Sequence, residues 1–134
     1  MRPKRVLIAD DDHALLCAMR TRLDAEGFEV VTAQDGYQAL AIARSENPDV
    51  VVLDVNMPAG SGFSVRERLR AIDGLRDTPV VFITGEPADK VRREAVEHGI
   101  SSILHKPVDG RDLLEKVRAA AGVWTRRRSI GFAG

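Results

Sequence analysis

A chain of 134 residues is close to the commonest size of one domain, and at 44% hydrophobic and 30% charged it reads as a compact globule, not a disordered segment. Twenty Lys and Arg balance 20 Asp and Glu, so the whole-chain charge gives no ground for nucleic acid or an anionic membrane as partner. The single cysteine, Cys17, excludes a disulfide framework and a cysteine-based zinc site.

The start, MRPKRVLIADDD, holds one apolar run, Val6 to Ala9, too short for a signal-peptide core or a membrane span. A cytoplasmic location is expected. That run reads as a first strand delivering Asp10, Asp11 and Asp12 at its end. Leu15, Met19 and Leu23 recur every four residues and predict a helix. Asp12 suits its N-cap, and Cys17, inside the pattern, reads as a small buried apolar residue. Gly27 precedes a second strand at Val30 and Val31, which ends in Gln34, Asp35 and Gly36. After Asn47-Pro48, Val50 to Leu53 is long enough for a fully buried third strand, with Asp54 directly behind it. Asn56, Met57 and Pro58 then end any strand. Val65, Leu69 and Ile72 predict the next helix, and Val80 to Ile83 a fourth strand ending at Thr84. Gly99 precedes a fifth strand at Ile103 and Leu104, followed by His105, Lys106 and Pro107. Leu113, Leu114 and Val117 mark a last helix from Asp109 to Ala121 or nearby, with Gly122 as its stop and VWTRRRSIGFAG as a tail. A β-α unit recurring in this way predicts one parallel sheet with helices on both faces.

In such a sheet, ligands bind beyond the carboxyl ends of the strands. There the chain gathers Asp10, Asp11 and Asp54, with Thr84 and Lys106. Three carboxylates on one edge repel one another, and a divalent cation with a preference for oxygen, such as Mg2+, relieves the repulsion. Lys106 adds positive charge and Thr84 a hydroxyl donor. Together they describe a place for a phosphoryl group, with Asp54 as the nucleophile that forms an aspartyl phosphate. His13 and His105 border this edge, but His105 precedes Lys106 on a strand and should point the other way. His98 suits a helix C-terminus, and Arg126 to Arg128 a solvated tail.

The segments VLIADDD, VVLDVNMPAGSG, VVFITG and LHKP resemble, in order and separation, the receiver domain of two-component response regulators. The resemblance runs from residue 5 to about residue 121. It implies a flavodoxin-like five-stranded parallel sheet of order 2-1-3-4-5, a (βα)5 fold. It implies that Asp10 and Asp11 are the acidic pair, Asp54 the phosphoacceptor, Thr84 the switch hydroxyl and Lys106 the phosphate-binding lysine. It further implies the Asn56 main-chain carbonyl as a metal ligand and a cis Lys106-Pro107 bond. Asn56 and Glu86, two after Asp54 and Thr84, would flank an attacking water, and self-dephosphorylation in seconds to minutes is expected. Two positions depart from the family. Ile103 stands where an aromatic switch residue is frequent, and Ala59-Gly60-Ser61-Gly62 has no Asp before the last Gly.

The reading is a receiver domain over residues 1–122 with a short basic tail or linker start over 123–134. Only about a dozen residues follow the last helix, so the chain is either a stand-alone regulator or part of a longer one. The expected phosphoryl donor is a histidine kinase or a histidine phosphotransfer protein. The output partner is a protein on the helix 4-strand 5-helix 5 face, where Arg92, Arg93 and Arg111 are polar positions. A phosphorylation-dependent homodimer is a further option. No separate substrate, nucleic acid or membrane is expected. Two rivals stand beside this reading: a magnesium-dependent phosphohydrolase, which would need a second acid where Asn56 stands, and a constitutive receiver-like interaction module.

Overall fold

The computed structural model describes residues 2–100 and 102–123. Strands and helices alternate strictly: β1 (Arg5–Ala9), α1 (His13–Ala25), β2 (Glu29–Ala33), α2 (Gly36–Glu46), β3 (Val50–Asp54), α3 (Gly62–Arg70), β4 (Val80–Thr84), α4 (Ala88–His98), β5 (Ile103–His105) and α5 (Gly110–Ala121). The strands form one five-stranded sheet in the order β2-β1-β3-β4-β5, all pairs parallel. The predicted fold class is the observed one.

The sheet has no wet face near its centre. Val6 to Ala9, Val50 to Leu53 and Val81 to Ile83 are all 0% exposed, as strands covered on both sides require. Alternate side chains enter different cores. Val6, Ile8, Val52 and Ile83 pack with α1 and α5 through Leu16, Leu23, Leu113 and Val117. Leu7, Ala9, Leu53 and Phe82 pack with α2 and α3 through Ala39, Ala43, Val65 and Leu69. On this second side the Phe63 ring lies against Phe82 at 4.9 Å and stacks on the His98 imidazole of α4 at 5.1 Å.

Helix ends follow the turn chemistry of the sequence. Asp12, Asp35, Ser61 and Asp109 each accept backbone N–H groups at a helix start. Asn47, Gly99 and Gly122 close α2, α4 and α5 in the left-handed region. Asp35 Oδ1 takes the Gln38 N–H at 2.7 Å. Asp35→Ala is expected to lower stability by about 1 kcal/mol, read as a drop in the urea midpoint at constant slope. An unchanged midpoint would show that solvent satisfies that amide equally well.

The structure corrects the first helix. Cys17 is exposed, not buried. The buried stripe of α1 is Leu16, Met19 and Leu23, with Leu15 only partly covered. Spacings of three and four keep those side chains on one line, whereas Cys17 lies about 100° round from Leu16 and faces water. Ile72 also falls past the end of α3, in the following turn, where it packs on the core from outside the helix. Arg126 to Arg128 and Trp124 lie outside the described residues.

Candidate functional site

Parallel strands bring their carboxyl ends to one edge, and backbone bonds fix what each end presents. The Asp10 N–H donates to Ala33 O at 3.1 Å, Val55 N–H to Ile83 O at 2.9 Å and Lys106 N–H to Thr84 O at 2.7 Å. Asp10, Asp54 and Lys106 are thereby held on β1, β3 and the end of β5. The Lys106-Pro107 peptide bond is cis.

Asp10, at 0% exposure, and Asp54, at 3%, are buried carboxylates, while Asp11 is exposed. Lys106 Nζ lies 3.2 Å from Asp54 Oδ2 and 3.2 Å from Asp10 Oδ2. Only the Asp54 contact has hydrogen-bond geometry; Asp10 Oδ2 is a charge neighbour of the ammonium without a hydrogen bond. Asp10 Oδ1 accepts the Asp12 N–H at 2.9 Å, and Asp54 Oδ1 the Asn56 N–H at 3.3 Å.

These surroundings set the charge states. Burial, reinforced by the Asp10 charge, pushes the Asp54 carboxyl up to about 6, against the opposing pull of Lys106 and the Asn56 amide. Burial alone would lower the Lys106 ammonium. Its contacts with Asp10 and Asp54 together outweigh that and raise it. One cation thus serves two buried carboxylates, leaving the site short of positive charge.

A hard cation fits this deficit. One carboxylate oxygen from each of Asp10, Asp11 and Asp54 lies within 4.8 Å of the others. An ion with oxygens about 2.1 Å away on opposite sides spans about 4.2 Å, so a small contraction would close the cluster. The Asp10 oxygen that lacks a hydrogen bond is the donor such an ion would satisfy.

Thr84 is fully buried, and its hydroxyl oxygen accepts the Glu86 N–H at 2.9 Å. The hydroxyl proton remains to be donated. Asn56 and Glu86, proposed from sequence as separate flanking groups, bond to each other: Asn56 Nδ2 donates to Glu86 Oε1 at 2.6 Å. Glu86 Oε2 is also 3.4 Å from Lys90 Nζ, one turn into α4. The Asn56 contact, with that of Lys90, holds the Glu86 carboxyl below its usual range. A polar chain therefore runs from the Asp54 loop to the first turn of α4. Ile103 is half-buried on β5, and His13 and His105 are exposed.

Gly62 is the site residue that sequence reading passed over. A Cβ there would sit 2.5 Å from the Asp54 carbonyl oxygen, so only glycine lets α3 start this close to the acceptor strand. Its sequence signal was weak: one glycine just after the Ser61 N-cap. Arg92, Arg93 and Arg111 are exposed, on α4 and α5.

The comparisons agree with this geometry. Residues 6–118 match the family profile described as response regulator receiver domain. The chain is 40% identical over 115 residues to the response regulator PleD of Caulobacter vibrioides, covering 86% of this chain and 25% of that one. It is 40% identical over 115 residues to the transcriptional regulatory protein PrrA of Mycobacterium tuberculosis, covering 86% of this chain and 48% of that one. It therefore spans between a quarter and about half of these relatives' length. Among solved structures, the chemotaxis response regulator CheY4 of Vibrio cholerae superposes with a TM-score of 0.80 at 31% identity, over 88% of this chain and 98% of that one. A response regulator from Chloroflexus aurantiacus gives a TM-score of 0.83 at 26% identity, over 90% and 98%. With the sheet order, the strand-end acids and the profile in accord, the chain belongs to the response regulator receiver family of two-component signalling systems.

Proposed function

We propose that this chain is a phosphorylation-switched receiver with Asp54 as phosphoacceptor. The observation that carries the reading is the buried Asp54 carboxylate, held 3.2 Å from Lys106 Nζ beside a second buried acid. Asp54 Oδ attacks the phosphorus of a phosphohistidine on a histidine kinase or a histidine phosphotransfer protein. The new bond is P–O; the P–N bond breaks, and its electron pair leaves with the imidazole nitrogen, which takes up a proton. Mg2+, held by Asp10, Asp11, Asp54 and the Asn56 main-chain carbonyl, would neutralise charge on the phosphoryl oxygens. Lys106 turns from its two carboxylates toward the phosphoryl oxygens. The Thr84 hydroxyl donates to a phosphoryl oxygen, and its hold on the Glu86 amide is released.

That release carries the signal. Glu86 joins the Asp54 loop to Lys90, so moving Thr84 loosens the start of α4. The α4-β5-α5 face then changes its affinity for a downstream protein or a second receiver. With Ile103 in place of an aromatic ring, the polar chain is the available route. The protein transfers no group to a separate substrate, and nucleic acid is no partner of this domain. No helix among the described residues is long and apolar enough to cross a membrane, in keeping with action in the cytoplasm. Residues 1–122 form the receiver, and 123–134 a tail or linker.

Intact mass after incubation with acetyl phosphate and Mg2+ tests the reading. One added phosphoryl group, lost with chelator, supports it. A folded protein that never gains that mass returns the constitutive interaction module. The Asn56 and Glu86 pair should also set the lifetime of the phosphoryl group. Replacing both by apolar residues is expected to slow its loss severalfold, measured by phosphoprotein gel after removal of the donor. An unaltered decay rate would show that neither side chain assists the attacking water.

A further inference from the structure

The opposite edge of the sheet holds a cavity of about 370 Å³ that the phosphoryl chemistry does not use. It opens at the start of β4, between the end of α3 and the Gly99-Ile100 turn after α4. Its apolar lining is offered by the partly exposed Pro79, Val80 and Ile100, over the closed side chains of Leu69, Leu75 and Phe82. Its lining also includes Arg66, Arg70 and Arg76 with the Asp77 carboxylate, and Glu67 and Asp73 pair with those arginines from beside it.

The three guanidiniums are only partly engaged. Arg66 Nη1 donates to His98 O at 3.1 Å and to Glu67 Oε1 at 3.4 Å. Arg76 gives Nε to Arg70 O at 3.3 Å and Nη2 to Asp73 at 3.2 Å. Arg70 lies 3.8 Å from Glu67, too far for a hydrogen bond. Each guanidinium carries five N–H donors, so most of this set remains available to a ligand. The volume is at the low end for ligand pockets, about 300–1,000 Å³, which suits a small molecule.

We infer that this cavity binds a small anion with an apolar body, the body on Pro79, Val80 and Ile100 and the sulfonate, carboxylate or phosphate on the arginines. The inference stands apart from the phosphoacceptor reading, since it uses the other edge of the sheet.

The test uses anilinonaphthalene sulfonate as probe, titrated by fluorescence into the full chain. Saturable binding at one site is expected, with Kd on the order of 10–100 µM. Amide shifts should centre on Leu75, Gly99 and Ile100. Arg70→Ala with Arg76→Ala, two exposed positions, should weaken binding roughly tenfold without altering Tm by more than a few degrees. Thr78→Trp, which fills the mouth, should abolish it. The neutral phenylnaphthylamine should bind about tenfold more weakly. Equal binding of the neutral dye, or undiminished binding to the arginine variant, overturns the inference; the arginine variant decides even if Thr78→Trp fails to fold. The same titration on Asp54→Asn should match the unmodified chain, so a failed acceptor and a failed cavity give different results.

Discussion

Asp54→Asn is expected to abolish phosphorylation and, at the same time, to make the protein more stable at pH 7 by about 3 kcal/mol. The two effects share one cause. The folded Asp54 carboxyl has its pKa raised from 3.8 to about 6. A raised carboxyl binds more protons in the folded state than in the unfolded state between those two values. Stability therefore falls as pH rises through that window and stays low above it. Asparagine keeps the shape and never ionises, so its curve lacks that fall. Denaturation midpoints of the two proteins should nearly coincide near pH 4 and part between pH 4 and pH 6, with the variant higher. Adding Mg2+ at pH 7 should raise Tm of the unmodified chain more than that of the variant, because the ion relieves a charge the variant lacks. Parallel curves across pH would mean that Asp54 is not strained by its burial.

Gly62→Ala is the second large effect. The new Cβ would lie 2.5 Å from Asp54 O, 3.1 Å from the Asp54 carbonyl carbon and 3.2 Å from Val55 Cα. All three are backbone atoms and cannot turn aside as a flexible side chain can. The Gly62 N–H is also bound to Val55 O at 2.9 Å, so α3 and the end of β3 must part together. A loss of about 2 kcal/mol is expected, with a slowed phosphorylation rate at temperatures where the variant is still folded. Gly85→Ala is the control. Its Cβ would meet nothing nearer than Lys106 Cδ at 3.8 Å, and its stability should stay within about 0.5 kcal/mol of the parent. Equal midpoints for the two variants would refute the contact.

The architecture was legible because its strands are unusually plain. Val6 to Ala9, Val50 to Leu53 and Val80 to Ile83 are unbroken apolar runs, and each is followed by the polar residue that faces the site. Strand ends carry chemistry in this class of sheet, so Asp10, Asp54, Thr84 and Lys106 could be placed before any coordinates. The face of α1 was less legible. The adjacent pair Leu15 and Leu16 allows two phases of the helical pattern, and only packing selects the one that exposes Cys17. The Asn56 to Glu86 bond joins residues thirty apart in sequence, and the register that aligns β3 with β4 is not written in either strand. The Gly62 contact was hidden for a similar reason. A glycine before a helix is common, and what it touches depends on where the previous strand ends. The arginine-lined cavity gave no sequence signal, since Arg66 and Arg70 look like any solvated turn of a helix.

Register itself draws out a further role for the site's charges. With Val6, Ile8 and Val52 facing one core and Leu7, Ala9 and Leu53 the other, a strand that slipped by one residue would still present hydrocarbon on both sides. Alternation cannot police alignment here as it does in a sheet with one wet face. Asp10 and Asp54 can. Drawn one position inward, either carboxylate would leave Lys106 and enter hydrocarbon, a heavily penalised move. The acids that handle phosphate also index the strands, telling a featureless apolar ribbon where to stop.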